Sequence, residues 1–202
     1  MKNVIKDYLK KGFTIVPLFG IKDNICTCRR GAQCSNSGKH PIPNRNGKFL
    51  IKTEADWAKM RNSRNKHHNP NIAFATGNDF NIIVIDLDVK PEQGIDGIES
   101  FYKMVENFAP GYTVPSTPTA KSGGSGKHIY FALPPSGVAI KSGVNIFGHL
   151  GFPGIDIRGE GGLIVAPPST HHSGNPYSWE DELSPNDVEF TPFPEFLMEL
   201  LN

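Results

Sequence analysis

The chain has 202 residues, 38 % of them hydrophobic, enough for one domain with a sizeable core, or for one with a small appended lobe. Its 21 glycines and 17 prolines exclude a helix bundle and point to a mixed or strand-rich fold of short elements. A net charge of +1 argues against a general nucleic-acid coat, and no apolar run nears the ~20 residues that span a bilayer.

Residues 2–11 predict a short amphipathic helix, with Val4, Ile5, Tyr8 and Leu9 on one stripe. This N-terminal segment has no long apolar core of a signal peptide, so a cytoplasmic protein with no membrane partner is expected. Phe13 to Phe19 predicts a strand. Cys26 to Lys52, rich in Gly, Asn, Pro and Ser, predicts a loop or small insert. Thr53 opens a helix by the capping rule, with Asp56 three residues on and Trp57 next. Ile72–Thr76 and Asn81–Val89 predict strands. The apolar run of the second (Ile82, Ile83, Val84, Ile85, Leu87) suggests burial on both faces. A helix is expected over Asp96–Phe108, strands over His128–Leu133, Ile155–Arg158 and Leu163–Ala166, and a last helix over Phe193–Leu201. This order implies an α/β (α+β) fold around a mixed central sheet.

Charge is segregated. All 21 Lys and Arg lie at or before Arg158, and eight acids with no Lys or Arg follow it. Cys26–Thr53 holds Arg29, Arg30, Lys39, Arg45, Lys48 and Lys52 and no acid. Trp57–Asn78 adds Lys59, Arg61, Arg64 and Lys66, again without an acid. A face built from these segments attracts phosphates. The plainer alternative is an unevenly charged, solvated surface.

Asp86 and Asp88 stand two apart in VIDLDV, so on a strand both carboxylates project to one face while Leu87 points to the core. Adjacent carboxylates at the end of an apolar strand repel, and a divalent cation removes that conflict. Hard oxygen ligands suit Mg²⁺ or Mn²⁺. The alternative for strand-end aspartates is a turn cap or a lysine partner. Asp156 lies in GIDIRGEGG with Arg158 two residues on. That pair reads either as a structural ion pair or as a metal ligand beside a phosphate clamp. Nothing in its spacing ties Asp156 to Asp86 and Asp88.

KSGGSGKHIYF carries Lys121, Ser122, Ser125, Lys127 and His128. It is not a Walker A loop: His128 follows Lys127 where Ser or Thr is needed, and the segment enters a strand rather than a helix. Such a turn still offers N–H groups and positive charge to a triphosphate, or is simply a hairpin. Cys26, Cys28, Cys34 and His40 are spaced C-x-C-x5-C-x5-H, and these are the only cysteines. An odd count argues against a disulfide framework. Three thiols and an imidazole suit a closed, structural Zn²⁺ site in an insert over 26–40 that lacks a core of its own. Free thiols in a loop are the alternative.

Taken together, GFTIVPL (12–18), GKHP (38–41), NIAFATG (71–77), VIDLDV (84–89), DGIES (96–100), SGGSGKHIYF (122–131) and GIDIRGEGGLIVAPPSTHHSG (154–174) resemble one family. It is the bifunctional primase–polymerase (prim-pol) domain of the archaeo-eukaryotic primase superfamily, of plasmid and phage type. The resemblance covers nearly the whole chain and implies a single domain over 1–202 with the archaeo-eukaryotic primase fold: a small N-terminal α/β part and an RRM-like catalytic part. It implies a nucleotidyltransferase, a DNA primase/DNA polymerase that joins NTPs or dNTPs on a single-stranded DNA template by two-metal catalysis. Carried over by position, Asp86 and Asp88 fall on the first acidic motif and Asp156 on the third. His128 falls on the second, as a nucleotide contact. Lys121, Ser122, Ser125, Lys127 and Arg158 are implied nucleotide-binding neighbours, and His171 is implied as a fold-supporting residue. A replicative helicase, fused or in trans, is an implied partner. The competing readings are a metal-dependent nuclease and a non-catalytic single-stranded DNA or origin binder. A glycosyltransferase is disfavoured, since 202 residues leave no room for a nucleotide-sugar domain.

Overall fold

The structure is a computed structural model that describes residues 2–44, 47–62 and 69–201. Arg45, Arg64 and Lys66, counted above among the basic segments, lie outside the described residues. In chain order the helices are α1 (Lys2–Lys10), α2 (Glu54–Arg61), α3 (Gly97–Phe108) and α4 (Glu195–Leu200). The strands are β1 (Ile15–Leu18), β2 (Ile21–Lys22), β3 (Ile25–Cys26), β4 (Pro43–Asn44), β5 (Gly47–Lys48), β6 (Asn71–Ala75) and β7 (Ile83–Leu87), followed by β8 (Val89–Lys90), β9 (Ile95–Asp96), β10 (Thr119–Lys121), β11 (Lys127–Phe131), β12 (Ile155–Arg158), β13 (Leu163–Val165) and β14 (Ser178–Trp179). No helix among the described residues is long and apolar enough to cross a membrane. The chain divides into two compact units, residues 1–75 with 163–178, and residues 76–162 with 179–202.

The first unit holds the three-stranded antiparallel sheet β1-β6-β13. Phe13 stacks on Phe74 of β6, with ring centroids 4.1 Å apart, and Tyr8 of α1 meets Phe74 edge-on at 4.8 Å. The buried Tyr8 hydroxyl donates to the Pro167 carbonyl at 2.9 Å, so the ring is buried without orphaning its polar end. Thr53 caps α2 as expected: its hydroxyl accepts from the Asp56 N–H, and the Asp56 carboxylate accepts from the Thr53 N–H. The cysteine segment leaves β1 and is pinned at its far end by Asn71, whose Nδ2 donates to the carbonyls of Gly38 (2.9 Å) and Thr170 (2.7 Å).

The second unit holds the five-stranded sheet β12-β7-β11-β10-β14. The expected mixed sheet is instead antiparallel from β12 through β7 and β11 to β10. The reason is local. The connection through α3 returns β10 in the direction of β7, but the Gly-rich hairpin inserts β11 between them. Parallel pairing survives as single bridges, Ala132 with Pro192 and Lys141 with Glu160. Asp96 starts α3 by accepting from the N–H groups of Ile98 and Glu99, both at 3.0 Å. The core sits on one face of the sheet. Ile83, Ile85 and Leu87 of β7, Ile129 and Phe131 of β11, and Ile155 and Ile157 of β12 pack with Phe101, Met104 and Val105 of α3 and Leu197 of α4. Strand pleating sends the intervening residues, Asp86, His128, Asp156 and Arg158 among them, to the other face. As the apolar run suggested, all five residues of β7 are buried.

Candidate active site and metal centre

Strand register assembles an acidic row in the second unit. On β7, Asp86 has His128 of β11 as its partner on one side and Asp156 of β12 on the other. One line across three strands therefore reads Asp156, Asp86, His128, on the face opposite the core. All three are buried, at 3 %, 8 % and 4 % exposure. Directly opposed side chains on neighbouring strands approach to about 5 Å, so the row concentrates charge in a poorly solvated place. Asp88 follows the strand end. Its N–H donates to the Gly154 carbonyl and its carbonyl accepts from the Gly97 N–H, both at 2.8 Å. That three-way backbone contact requires Gly97 and Gly154, because a Cβ on Gly97 would collide with the Gly154 carbonyl and one on Gly154, which holds φ 82°, with the Ile95 side chain.

Arg158, two residues past Asp156 on the same face, bridges the row. Its Nη2 lies 2.9 Å from Asp86 Oδ2 and 2.7 Å from Asp156 Oδ2, and its Nε donates to Asp86 Oδ2 at 3.2 Å. Burial alone would lower the pKa of Arg158, but the charge and hydrogen bond of Asp86, then Asp156 and Asp88, outweigh it and raise it. His128 Nε2 stands 3.4 Å from Asp86 Oδ1. The Asn145 N–H donates to Asp156 Oδ1 at 2.7 Å. Burial pushes the Asp156 carboxyl up; the Asn145 bond and Arg158 oppose it, and Asp86 and Asp88 add to the rise. Lys90 donates to Asp88 Oδ2 at 2.7 Å, and that bond holds its ammonium pKa up, with the charges of Asp156 and Asp86 contributing. Three carboxylates thus face two fixed cations, an arrangement one positive charge short of neutral.

The Gly-rich segment forms a tight hairpin between β10 and β11. The Ser122 N–H donates to the Gly126 carbonyl at 2.8 Å, and Ser122 Oγ accepts from the Gly126 N–H at 3.0 Å. Ser125 holds a left-handed conformation, φ 72°. Lys121 and Lys127 flank the turn and both reach Glu180, at 2.8 and 3.0 Å. Ser122 therefore closes the turn, and the two lysines are held by a carboxylate.

The cysteine cluster lies in the first unit. One ligand atom each from Cys26, Cys28, Cys34 and His40 lies within 4.8 Å of all the others. His40 Nε2 is 3.6 Å from the Cys26 sulfur and 3.4 Å from the Cys34 sulfur. Burial and then the charge of Arg30 lower the His40 pKa, which keeps the imidazole neutral, as a metal ligand must be. Burial raises the Cys28 thiol, but hydrogen bonds, first from the Arg30 backbone and then from Cys26 and Cys34, bring it below its ordinary value.

The chain matches the family model of the bifunctional DNA primase/polymerase N-terminal domain, Prim-Pol, over residues 5–195. It belongs to the Prim-Pol family. No curated protein matches it significantly. Membership supports a DNA primase/polymerase function in general, with nucleotidyl transfer as its chemistry and DNA and nucleotides as substrates. Prim-Pol enzymes generally use divalent metals, and this Prim-Pol chain adds a Cys3His group that can hold a metal ion.

The site of this Prim-Pol domain contains residues that sequence reading missed. Lys90 contacts the acidic site directly, Asn145 supplies a backbone donor to Asp156, and Glu180 holds both turn lysines. Lys90 was within reach as a base two residues past an Asp-x-Asp pair. Nothing in the local sequence marks Glu180, which reaches the turn only through sheet pairing.

Proposed function

We propose that the chain is a DNA primase/polymerase that adds nucleotides to a primer on single-stranded DNA during replication. The observation that carries this reading is the register row Asp156, Asp86, His128 with Asp88 at the strand end. The donor set fits Mg²⁺ or Mn²⁺, because it offers several carboxylate oxygens and no sulfur. When bound, a pair of such ions supplies an activated primer 3′-hydroxyl and charge neutralisation on the triphosphate. The residues have separate tasks. Asp86, Asp88 and Asp156 hold the ions. Asn145 and Arg158 orient the Asp156 carboxylate, and the Arg158 fork is suited to a phosphate oxygen once it turns from Asp86. His128 contacts the incoming nucleotide, and the turn of Ser122 and Ser125 lies at the end of its strand. Lys121 and Lys127 add positive charge when they part from Glu180.

In this reading the second unit is the RRM-like part of an archaeo-eukaryotic primase fold, and the domain spans 1–202. The Cys3His group is a structural Zn²⁺ site. Tetrahedral bonds of about 2.3 Å to sulfur and 2.0–2.1 Å to nitrogen put sulfur and nitrogen about 3.5 Å apart, in line with the 3.4 and 3.6 Å observed. A cytoplasmic setting, a phage or plasmid replication context and a helicase partner follow from the family resemblance.

Primer extension tests the reading. Labelled primer on a single-stranded template, with dNTPs or NTPs and Mg²⁺ or Mn²⁺, is expected to lengthen with the wild-type chain and not with Asp86→Asn. Shortening of the label would establish a nuclease instead. One observation favours a second reading: Arg158 bridging both aspartates is also how a relic site closed by its own arginine would look. A non-catalytic DNA binder predicts strand binding with no incorporation under any metal.

A further inference from the structure

We infer that the cavity beside Cys28, Cys34 and His40 docks one nucleotide unit of single-stranded DNA, with Arg29 and Arg30 on its phosphates and Phe19 against its base. The inference rests on the reading of the chain as an enzyme of single-stranded DNA. The cavity measures about 810 Å³, within the roughly 300–1,000 Å³ typical of small-ligand sites. Beyond the ligand residues its walls include Phe19, Arg29, Arg30, Asn36, Pro41 and Pro43, and no acid.

Charge selects the class of occupant. A divalent ion held by three thiolates and a neutral imidazole leaves one net negative charge, against the two positive charges of Arg29 and Arg30, so this wall keeps a net positive charge for an anion. The backbones of Arg30 and Gly31 hydrogen-bond the Cys28 sulfur, so the guanidinium groups are not needed for that task. Both side chains are exposed, and neither forms an ion pair among the described residues. Two more bases adjoin the lining, Lys39 next to His40 in the chain and Lys48 paired with Pro43 across β4 and β5, and the sequence over 26–53 holds no acid. A compact anion needs a converging nest of donors, whereas a polyanion needs such a string.

Phe19 supplies the apolar surface. Its ring lies on the His40 imidazole, with centroids 4.7 Å apart and planes 30° apart, and it also lines the cavity. An aromatic beside paired arginines suits a base joined to a phosphodiester, because every base has a face to stack. The segment is braced for that load: the Phe19 N–H donates to the His40 carbonyl at 3.1 Å, and Asn71 grips Gly38.

Binding of the full chain to a labelled thymidine 30-mer, without nucleotides, tests the dock by anisotropy across a salt series. The Arg29→Gln/Arg30→Gln double variant is expected to keep its zinc and bind at least tenfold more weakly. Its log Kd against log salt should be shallower by about 1.4, two lost single-strand phosphate contacts at about 0.7 each. Phe19→Leu is expected to bind about fivefold more weakly and to lose the wild-type preference for the thymidine strand over an abasic strand. Unchanged affinity and slope in the zinc-loaded double variant would overturn the dock. Lost binding of free dTTP with strand binding intact would also overturn it, in favour of a nucleotide site. If the wild type extends primers while the double variant binds like the wild type, the dock alone fails. If the wild type neither binds the strand nor extends, both readings fail.

Discussion

The acidic row and the Cys3His group are built in opposite ways, and among the described residues only the second brings three or more donor atoms within 4.8 Å of one another. The acidic row stands on the most buried strand of its unit, where register and the α3 packing hold Asp86 and Asp156. The Cys3His group stands on a segment of short turns, and its donor atoms already stand at metal-bridging distances. In the first case the fold makes the ligands. In the second, with zinc bound as proposed, the ligands would make much of the local fold, since structural zinc contributes directly to folding free energy. Internal cations show the same contrast. Arg158 and Lys90 occupy the carboxylates, whereas no lysine or arginine side chain bonds the thiolates among the described residues.

The largest expected effect separates activity from stability. Asp86→Asn should reduce primer extension by about a thousandfold or more, as loss of several kcal/mol of metal-borne charge stabilisation requires. Its melting temperature should stay within about 3 °C of wild type, because the amide is isosteric and Arg158 keeps Asp156. A cooperative loss of fold in that variant would place the acidic row among structural ion pairs. Zinc removal should do the reverse. A strong chelator should lower the melting temperature by about 10 °C or more, given the roughly 10–16 kcal/mol of structural zinc in isolated fingers. Withholding Mg²⁺ should move it by about 3 °C at most. Equal sensitivity to both treatments would erase the distinction.

Local signals in the sequence survive well, and long-range ones do not. Thr53 with Asp56, the helical stretch from Asp96 to Phe108, and the apolar run of β7 all act within a few residues, and each forms the element it predicts. The C-x-C-x5-C-x5-H spacing acts over 15 residues and brings four donors together. Asp86 and Asp156 are 70 residues apart, and only the antiparallel register of β7 and β12 makes them neighbours. Glu180 meets Lys121 and Lys127 for the same kind of reason. The strand β10 was missed because it is three residues long and follows a Pro- and Thr-rich stretch without alternation. The mixed-sheet expectation failed on a hairpin insertion, which element order alone does not reveal.

A smaller effect sharpens the cation contrast. Lys90 bonds Asp88 and feels the charges of Asp86 and Asp156 as well, so on the proposed reading it would compete with a metal for Asp88. Lys90→Met should therefore tighten Mn²⁺ binding at this site by about fivefold, a modest share of the few kcal/mol that two near charges exchange at a protein surface. Spin-resonance titration of free Mn²⁺ reads this directly. Unchanged or weaker affinity would show that Lys90 supports the carboxylates rather than competing for them. Zinc content should not change.

The last effect concerns the first unit alone. His171 is buried, and its Nδ1 accepts from Ser173, whose hydroxyl lies at 2.9 Å and N–H at 3.3 Å. Burial, then the charges of His172 and Lys39, push its pKa down to about 4. An unfolded histidine titrates near 6.5. The unfolded chain therefore takes up this proton first as pH falls. The neutral ring contributes its stability in full above about pH 6.5, and that contribution is lost progressively between about 6.5 and 4. Full loss amounts to at most about 3 kcal/mol, because each tenfold difference in proton affinity between folded and unfolded chain is worth about 1.4 kcal/mol. His171→Asn keeps an acceptor near the Nδ1 position and removes the titration. Urea unfolding at pH 7 and pH 4.5 should show wild type losing more stability than the variant. Thiolate and His40 protonation occur in both proteins and cancel in the difference. Parallel losses would mean that His171 is already protonated in the folded chain, and that Ser173 does not hold it neutral.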